Sequence, residues 1–411
     1  MKNYLLLLFF FLVSCSQNNG VYGDGDIEVE EEVDVIDDNK LDSNEELPFT
    51  CSDRKLSNIS AISAGGKHTC VLFSYGKVRC WGWNDNGQLG GEPKIYDWIV
   101  DVEGISSKVL GISAGDRHTC AVLDNGGLQC WGWNKYGQLG DGSNTDRNTP
   151  VDVTGLNSEV KEVSTGVWHT CAVDSNGSLE CWGDNYFGEL GNGTNTNSSA
   201  PVEVNGLTES VTAVSTGWAH TCALFSSGGV KCWGWNNSGQ LGDGTNTDKN
   251  IPVEVSGLSS GVFGISAGDF HTCALLATGG MKCWGKNNYG QLGNGNNENQ
   301  NVPVEVEGLS SGVSAISAGG NHTCALLNSG GVKCWGWNKY GQLGDGSNVN
   351  KNVPVEVVGL SSGVNAISSG GAHTCAVLEG GYAKCWGNND KFQLGSAELG
   401  DFQNMPAEIC N

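Results

Sequence analysis

The chain has 411 residues and a formal net charge of −23, with 45 Asp and Glu against 22 Lys and Arg. A chain this acidic is a poor candidate for nucleic-acid binding, because contacts to phosphate need a basic footprint. Its 63 Gly and 8 Pro favour a turn-rich β protein, and its 17 Cys indicate an oxidising compartment or a metal protein.

Residues 1–14 have the pattern of a secretory signal peptide. Lys2 gives a basic start, and the apolar run 5–13 is shorter than a membrane span requires. The stretch LVSC (12–15) resembles the lipobox of bacterial lipoproteins, which implies cleavage before Cys15 and acylation of its thiol. More than one acyl chain anchors a protein durably, so we expect a lipid-anchored protein of the bacterial cell envelope. Ser16 implies the outer membrane by analogy, with the periplasmic and surface faces both open.

Residues 15–50 follow as the lipidated Cys and an acidic tether. The segment 21–46 carries twelve acidic residues and one Lys, Lys40. Charge repulsion and little apolar content predict an extended, disordered spacer. A weak cation site is the alternative, although the spacing matches no EF-hand loop.

Seven histidines mark a repeat that begins after residue 50. They are separated by 50 residues once and by 51 residues five times, at His68, His118, His169, His220, His271, His322 and His373. Seven copies of this length indicate a propeller or a solenoid.

One repeat reads as four short strands. VFGISAG (262–268) is apolar, and HTCALLATGG (271–280) leads through a Gly-rich turn into the strand MKCWG (281–285). A polar, glycine-containing loop follows, and PVEV (303–306) alternates apolar and acidic residues as a half-buried strand does. Four strands are the content of one propeller blade.

The residues GDFHTCAL (268–275), CWGKNNYGQLG (283–293) and PVEV resemble repeats of the regulator of chromosome condensation family. Six copies contain GQLG or GELG, and the seventh reads FQLG (392–395). The resemblance implies an all-β, seven-bladed β-propeller over residues 51–411. Bacterial proteins with paired Cys in each repeat are its nearest likeness.

Fourteen cysteines form seven pairs with nine residues between the two thiols. The pairs are Cys70 with Cys80, Cys120 with Cys130, Cys171 with Cys181, Cys222 with Cys232, Cys273 with Cys283, Cys324 with Cys334, and Cys375 with Cys385. With the turn at the midpoint, each pair lies opposite across a hairpin, within disulfide reach. We expect seven disulfides within the blades. Metal binding by His68, Cys70 and Cys80 and their counterparts, or free thiols, are the alternatives.

Cys51 and Cys410 remain at the two ends of the repeat region. SNISAIS (57–63) matches SGVNAIS (362–368), and PAEIC (406–410) matches PVEVV (354–358). The repeat region therefore starts and ends within one unit, just after the PVEV strand. We expect the N- and C-terminal segments to join in one blade, and a Cys51–Cys410 disulfide to close the ring.

The histidines precede a strand, and we expect their rings to bond backbone groups between blades. The Trp after each second Cys is expected to pack between blades: Trp81, Trp131, Trp182, Trp233, Trp284, Trp335 and Trp386. Other tryptophans recur less regularly and are candidates for ligand contact on one face: Trp168, Trp218, Trp83, Trp133, Trp235 and Trp337. The Asp- and Asn-rich loops, such as 141–148, are expected to form Asx turns, with weak calcium binding as the alternative.

The repeats lack an asymmetric set of catalytic residues, a phosphate-binding loop or paired catalytic carboxylates. We therefore expect a monomeric, non-enzymatic scaffold that binds an unknown protein or glycan, with no cofactor and no bound metal. One alternative is guanine-nucleotide exchange, which rests on family analogy. The other is a glycan-acting enzyme with its site in the propeller pocket.

Overall fold

The computed structural model describes residues 55–91, 99–396 and 399–409. These residues form 28 β-strands and no α-helix. Within the same ranges, no helix has the length and hydrophobicity to cross a membrane. The predicted signal peptide, Cys15 and the tether lie outside the described residues.

The strands fall into seven consecutive groups of four, designated A to D in chain order. The A strands are β1 (Ile59–Ala64), β5 (Val109–Ala114), β9 (Val160–Thr165), β13 (Val211–Thr216), β17 (Val262–Ala267), β21 (Val313–Ala318) and β25 (Val364–Ser369). The B strands are β2 (His68–Phe73), β6 (His118–Leu123), β10 (His169–Asp174), β14 (His220–Phe225), β18 (His271–Leu276), β22 (His322–Leu327) and β26 (His373–Leu378). The C strands are β3 (Val78–Gly82), β7 (Leu128–Gly132), β11 (Leu179–Gly183), β15 (Val230–Gly234), β19 (Met281–Gly285), β23 (Val332–Gly336) and β27 (Ala383–Asn388). The D strands are β4 (Ile99–Asp101), β8 (Arg147–Asp152), β12 (Ser198–Glu203), β16 (Lys249–Glu254), β20 (Gln300–Glu305), β24 (Lys351–Glu356) and β28 (Phe402–Glu408).

Each group of four forms one antiparallel sheet in the order A-B-C-D, and each sheet is one blade. Every A strand packs against the A strands of both neighbouring blades, including β1 against β25. The inner strands therefore form a closed ring. This confirms the predicted all-β, seven-bladed propeller and excludes the open solenoid.

The hydrophobic core lies between neighbouring blades. One cluster joins Leu72 and Leu89 of the first blade to Ile112 and Trp131 of the second. The B strands are almost wholly buried because both faces of each sheet are covered by the next sheet. The seven tryptophans that follow the second Cys are fully buried in these clusters, which confirms their packing role.

The N- and C-terminal segments meet where the ring closes, as expected. Strands β25–β28 are consecutive, so the last blade takes all four strands from the C-terminal end of the chain. The first described strand, β1, is an A strand and the last, β28, is a D strand, as the matches of 57–63 and 406–410 to one unit predict. The N- and C-terminal segments join at the last blade: Lys55 Nζ lies 2.6 Å from a Glu408 carboxylate oxygen, and Leu56 packs in the cluster that contains Ile409.

Seven disulfides join the B and C strands, one in each blade. They are Cys70–Cys80, Cys120–Cys130, Cys171–Cys181, Cys222–Cys232, Cys273–Cys283, Cys324–Cys334 and Cys375–Cys385. The two cysteines of each pair are direct partners in the antiparallel register, and their Cα–Cα distances are 4.0–4.1 Å. The disulfide prediction is therefore confirmed for Cys80, Cys130, Cys181, Cys232, Cys283, Cys334 and Cys385 and for their B-strand partners.

The disulfides also decide between the alternatives for these cysteines. A sulfur bonded to another sulfur is not available as a thiolate metal ligand or as a free thiol, so both alternatives are wrong for the seven pairs. Cys51 and Cys410 lie outside the described residues, and their pairing stays a prediction.

Candidate functional site

Two faces of the ring differ in the segments that form them. The A–B turns and the C–D loops emerge on one side, because adjacent strands run antiparallel. We call this side the A–B face, and the side with the B–C hairpins and D–A linkers the B–C face. We define the inner zone of the A–B face by five residues of each blade. Two precede the His that begins strand B, one follows the Trp-Gly of strand C, and two follow the Asn next in the chain. In the second blade these are Asp116, Arg117, Trp133, Lys135 and Tyr136.

The seven histidines lie beneath this face and link the blades. Each Nε2 lies 2.8–3.0 Å from the Oγ1 of a Thr in the next blade. That hydroxyl donates to a main-chain carbonyl, as Thr272 Oγ1 does to Gln240 O at 2.9 Å. The hydroxyl therefore accepts from the histidine, which must carry its proton on Nε2. The expectation of histidine bonds to backbone groups is wrong: a side-chain hydroxyl is the partner.

The same carbonyl serves a second donor. The indole Nε1 of Trp284 donates to Gln240 O at 2.9 Å, and each of the seven blades repeats the arrangement. In the third blade Glu189 stands in place of Gln. Burial lowers the pKa of each histidine to about 3, so all seven imidazoles are neutral at pH 7. These rings hold the blades together.

An aromatic track crosses the inner zone of blades two to five. We define it as Trp133, Tyr136, Trp168, Phe187, Trp218, Trp235 and Phe270. The rings of Trp168 and Trp218, from adjacent blades, have centroids 4.6 Å apart. Trp218 is the hub, because Trp235 lies 5.2 Å and Phe270 5.5 Å from it. All seven side chains are half-buried, so each keeps part of its surface exposed.

The structure thus places the six candidate tryptophans on one face, and four of them in one track. Trp83 lies beside the track and is connected to it by Arg117. The guanidinium carbon of Arg117 lies 4.7 Å from the Trp83 ring and 5.4 Å from the Trp133 ring. Trp337 belongs to a separate group with Tyr289 and Tyr340.

Sequence reasoning missed three rings of the track and its flanking cations. Tyr136 and Phe187 occupy the same position after Asn, and Phe270 precedes a histidine as Trp168 does. Their place within the repeat was a usable signal, because equivalent positions of neighbouring blades must be adjacent in a closed ring. Lys286 occupies the Trp235 position one blade on, and its Nζ lies 4.5 Å from the Phe270 ring.

In the inner zone of blades two to six, the basic side chains are at least partly exposed and the acidic side chains are buried. Lys135 and Lys339 are exposed, and Arg117 and Lys286 are half-buried. The acidic residues there are all buried: Asp116, Asp184 and Asp269. Asp116 pairs with Arg117 at 3.2 Å, and burial raises the pKa of Asp184. The outward charge of this zone is therefore positive, on a chain whose net charge is −23.

The Asp- and Asn-rich loops form the outer rim of the same face. Asn134 Nδ2 donates to Asp141 Oδ1 and to the carbonyl of Thr145, and Ser143 Oγ donates to Asp141. Arg147 lies 2.8 Å from the same carboxylate. Ser143 N donates to Asp141 Oδ1 at 2.9 Å, which is the expected Asx turn. Among the described residues, no group of three or more His, Cys, Asp or Glu side chains is arranged to hold a metal ion.

Known proteins share this repeat. A family profile described as "RCC1-like domain" matches residues 11–266, and the "Regulator of chromosome condensation (RCC1) repeat" matches residues 279–326 and 329–377. A second profile for the same repeat matches 264–291, 313–342 and 364–393. The Ultraviolet-B receptor UVR8 of Arabidopsis thaliana is 33% identical over 356 residues, which cover 85% of this chain and 81% of that protein.

Solved structures agree on the architecture. Human WBSCR16 aligns with a TM-score of 0.72 at 25% identity, covering 79% of this chain and 88% of that chain. Yeast RCC1 (Prp20), solved bound to Kap60, aligns with a TM-score of 0.73 at 20% identity, covering 96% of this chain and 91% of that one. At this identity the yeast likeness shows the fold alone. The profiles and the identity to UVR8 show that this chain belongs to the regulator of chromosome condensation (RCC1) repeat family.

Proposed function

We propose that this protein is a lipid-anchored, non-enzymatic propeller of the bacterial cell envelope that binds a protein or glycan partner. The inner zone of the A–B face makes the contact. The acidic tether holds the ring away from the membrane, and the closed ring presents the binding face as a rigid surface.

The aromatic track is the observation that carries the proposed binding role. Rings that have no structural need for exposure are normally turned into the core, as the seven tryptophans between the blades are. The rings of Trp168, Trp218 and Trp235 instead keep part of their surface exposed and contact one another across two adjacent blades. Clustered aromatic side chains that keep exposed surface are typical of interaction sites.

Two features support placement at the envelope. The lipobox-like stretch 12–15 ends in Cys15, and the segment before it has the length of a signal peptide. The seven disulfides of the propeller require an oxidising compartment to form and persist. An exported protein would not meet a cytosolic GTPase, so the exchange-factor alternative rests on family analogy alone.

Site-specific crosslinking in intact cells tests the binding face. A photo-crosslinking amino acid is placed at Tyr136 or Phe187 in the track, or at the exposed Thr208 on the B–C face as the matched control. We expect one envelope product from both track positions and none from position 208. The same product from position 208 alone would contradict the proposal. Cys15→Ser should abolish acylation, and an acyl mass that persists in the variant would contradict lipid anchoring through Cys15.

A further inference from the structure

We propose that the aromatic track binds an acidic oligosaccharide, with its sugar rings stacked on the aromatic side chains and its carboxylates facing the inner-zone cations. This inference rests on the proposed function and names the ligand class of the same face.

The geometry of the track suits a chain of rings. Tyr136 lies 5.4 Å from Trp133 and 6.1 Å from Trp168, and Trp168 lies 4.6 Å from Trp218. The line continues to Phe270, 5.5 Å further on. The centroids thus follow one another without a gap across four blades. The C–H faces of pyranose rings pack on aromatic rings, so an extended oligosaccharide can make repeated contacts along such a line.

The composition of the inner zone favours a glycan over a protein partner. Its aliphatic members are Val167, Ala219 and Ala372, and all three are buried. The centres of protein–protein interfaces usually combine aromatic with apolar surface and are depleted in Lys. Here Lys286 sits directly against the ring of Phe270 in the track. Aromatic rings can pack against the faces of sugar rings, and hydrogen-bonding and cationic groups can bind the sugar substituents.

Charge complementarity selects an acidic glycan. Arg117 lies at one end of the track, against Trp133, and Lys286 lies at the other end, against Phe270. Lys135 adds an exposed cation beside Tyr136. The carboxylates of the zone in blades two to six are buried, and the exposed Asp85 and Asp390 lie in the first and last blades, outside the track. Carboxylates on the sugars therefore have cationic partners at both ends of the track.

The test titrates the detergent-solubilised, acylated full-length protein with hexagalacturonate and with uncharged cellohexaose by calorimetry. We expect hexagalacturonate to bind about tenfold or more tightly than cellohexaose. Trp218→Ala removes the hub of the track and should weaken hexagalacturonate binding about tenfold or more. Phe263→Ala is the matched control, because Phe263 is an aromatic residue 54% exposed in β17, away from the track. Its binding should be unchanged.

Lys286→Gln separates charge from stacking. It should reduce the preference for hexagalacturonate over cellohexaose several-fold and leave binding of the uncharged oligosaccharide unchanged. Trp168→Leu is a second track variant, in case Trp218→Ala does not fold. Equal affinity for both oligosaccharides would overturn the charge assignment, and unchanged binding by both track variants would overturn the site. Absence of binding, with track-specific crosslinks intact in cells, would overturn the glycan ligand and leave a protein partner.

Discussion

The imidazole Nε2 of His373 in the last blade lies 2.9 Å from Oγ1 of Thr69 in the first. Six other histidines make the same contact with the following blade. The closing contact is therefore the seventh copy of a repeated one. A second repeated hydrogen bond also crosses the closure: Ala64 N donates to Ser368 Oγ, as Ala114 N donates to Ser63 Oγ between the first two blades.

Thr69→Val should destabilise the protein by about 1–3 kcal/mol, because His373 loses the acceptor of a buried N–H group. Thr272→Val removes the equivalent contact with His220 at an internal interface. In a closed ring the two losses should agree. Thr69→Ser keeps the hydroxyl and should cost much less. The measurement is the free energy of unfolding in urea. A loss at Thr69 far smaller than at Thr272 would contradict the closure.

The buried histidines should make the propeller sensitive to acid. Their native pKa of about 3 lies below the ordinary value of 6.5, so the unfolded chain binds protons first. The stability that the neutral histidines contribute is therefore fully present above pH 6.5 and is lost as the pH falls towards 3. At pH 5 each histidine is expected to account for about 2 kcal/mol of this loss.

His271→Gln tests this pH dependence at one site. The variant should be less stable than the parent protein at pH 7, and the difference should shrink by about 2 kcal/mol at pH 5. Urea unfolding at the two pH values measures both quantities. A difference that is the same at both pH values would mean that His271 is protonated at pH 5 in the native state as fully as in the unfolded chain.

Glu189→Gln should stabilise the third blade at neutral pH. Burial raises the pKa of Glu189 well above its ordinary value, and Asp184 adds to the effect. The unfolded carboxyl ionises first, so its contribution to stability is lost as the pH rises from its ordinary pKa through the raised one. Each unit of that shift is worth about 1.4 kcal/mol. Gln at this position preserves the local contact: Gln138 Oε1 accepts from Tyr136 N as Glu189 Oε2 accepts from Phe187 N.

The measurement is the gain in unfolding free energy at pH 7 against pH 4. We expect a clear gain at pH 7 and almost none at pH 4, where both forms are uncharged. Gln138→Glu is the reciprocal variant and should lose stability as the pH rises. If the gain from Glu189→Gln is equal at both pH values, the Glu189 carboxyl ionises to the same extent in the native and unfolded states.

The repeat length, the hairpins and the disulfide pairs could be predicted because they depend on local patterns. The Gly-rich turn between Cys222 and Cys232 sets the register of two adjacent strands, and one register makes the thiols direct partners. The seven-fold count followed from the histidines. The meeting of the two ends could also be predicted, because 57–63 matches the A-strand segment 362–368 and 406–410 matches the D-strand segment 354–358.

The partners of the histidines and the aromatic track depend on contacts between blades. The Thr that accepts from His271 is Thr323 in the next blade, not the Thr that follows it in the chain. Phe187 and Trp218 are 6.0 Å apart although they belong to different repeats and to different loops. Such pairs follow from the rotation between blades, so they are found by comparing equivalent positions of neighbouring repeats and not from the pattern within one repeat.

Gly290→Ala should cost far more stability than Gly308→Ala. Both glycines have positive φ, 83° and 71°, so an added Cβ strains the backbone by about 1 kcal/mol at each. At Gly290 the Cβ would also overlap Cα of Asn352 in the next blade, whereas at Gly308 nothing lies within 4 Å. Thermal unfolding of the two variants measures the difference. Equal losses would mean that the blades are not packed as closely as this contact requires.

A thiol count tests the cysteine assignments as a set. The membrane-extracted protein is alkylated under denaturing conditions without reductant, and its intact mass is measured. We expect an acylated Cys15 and no alkylated thiol, because the seven described pairs are disulfides and Cys51 is predicted to pair with Cys410. Two alkylated thiols that disappear in the Cys51→Ser/Cys410→Ser double variant would contradict the terminal pair only. Alkylation of the paired Cys in the blades would contradict export to an oxidising compartment, on which the proposed envelope function depends.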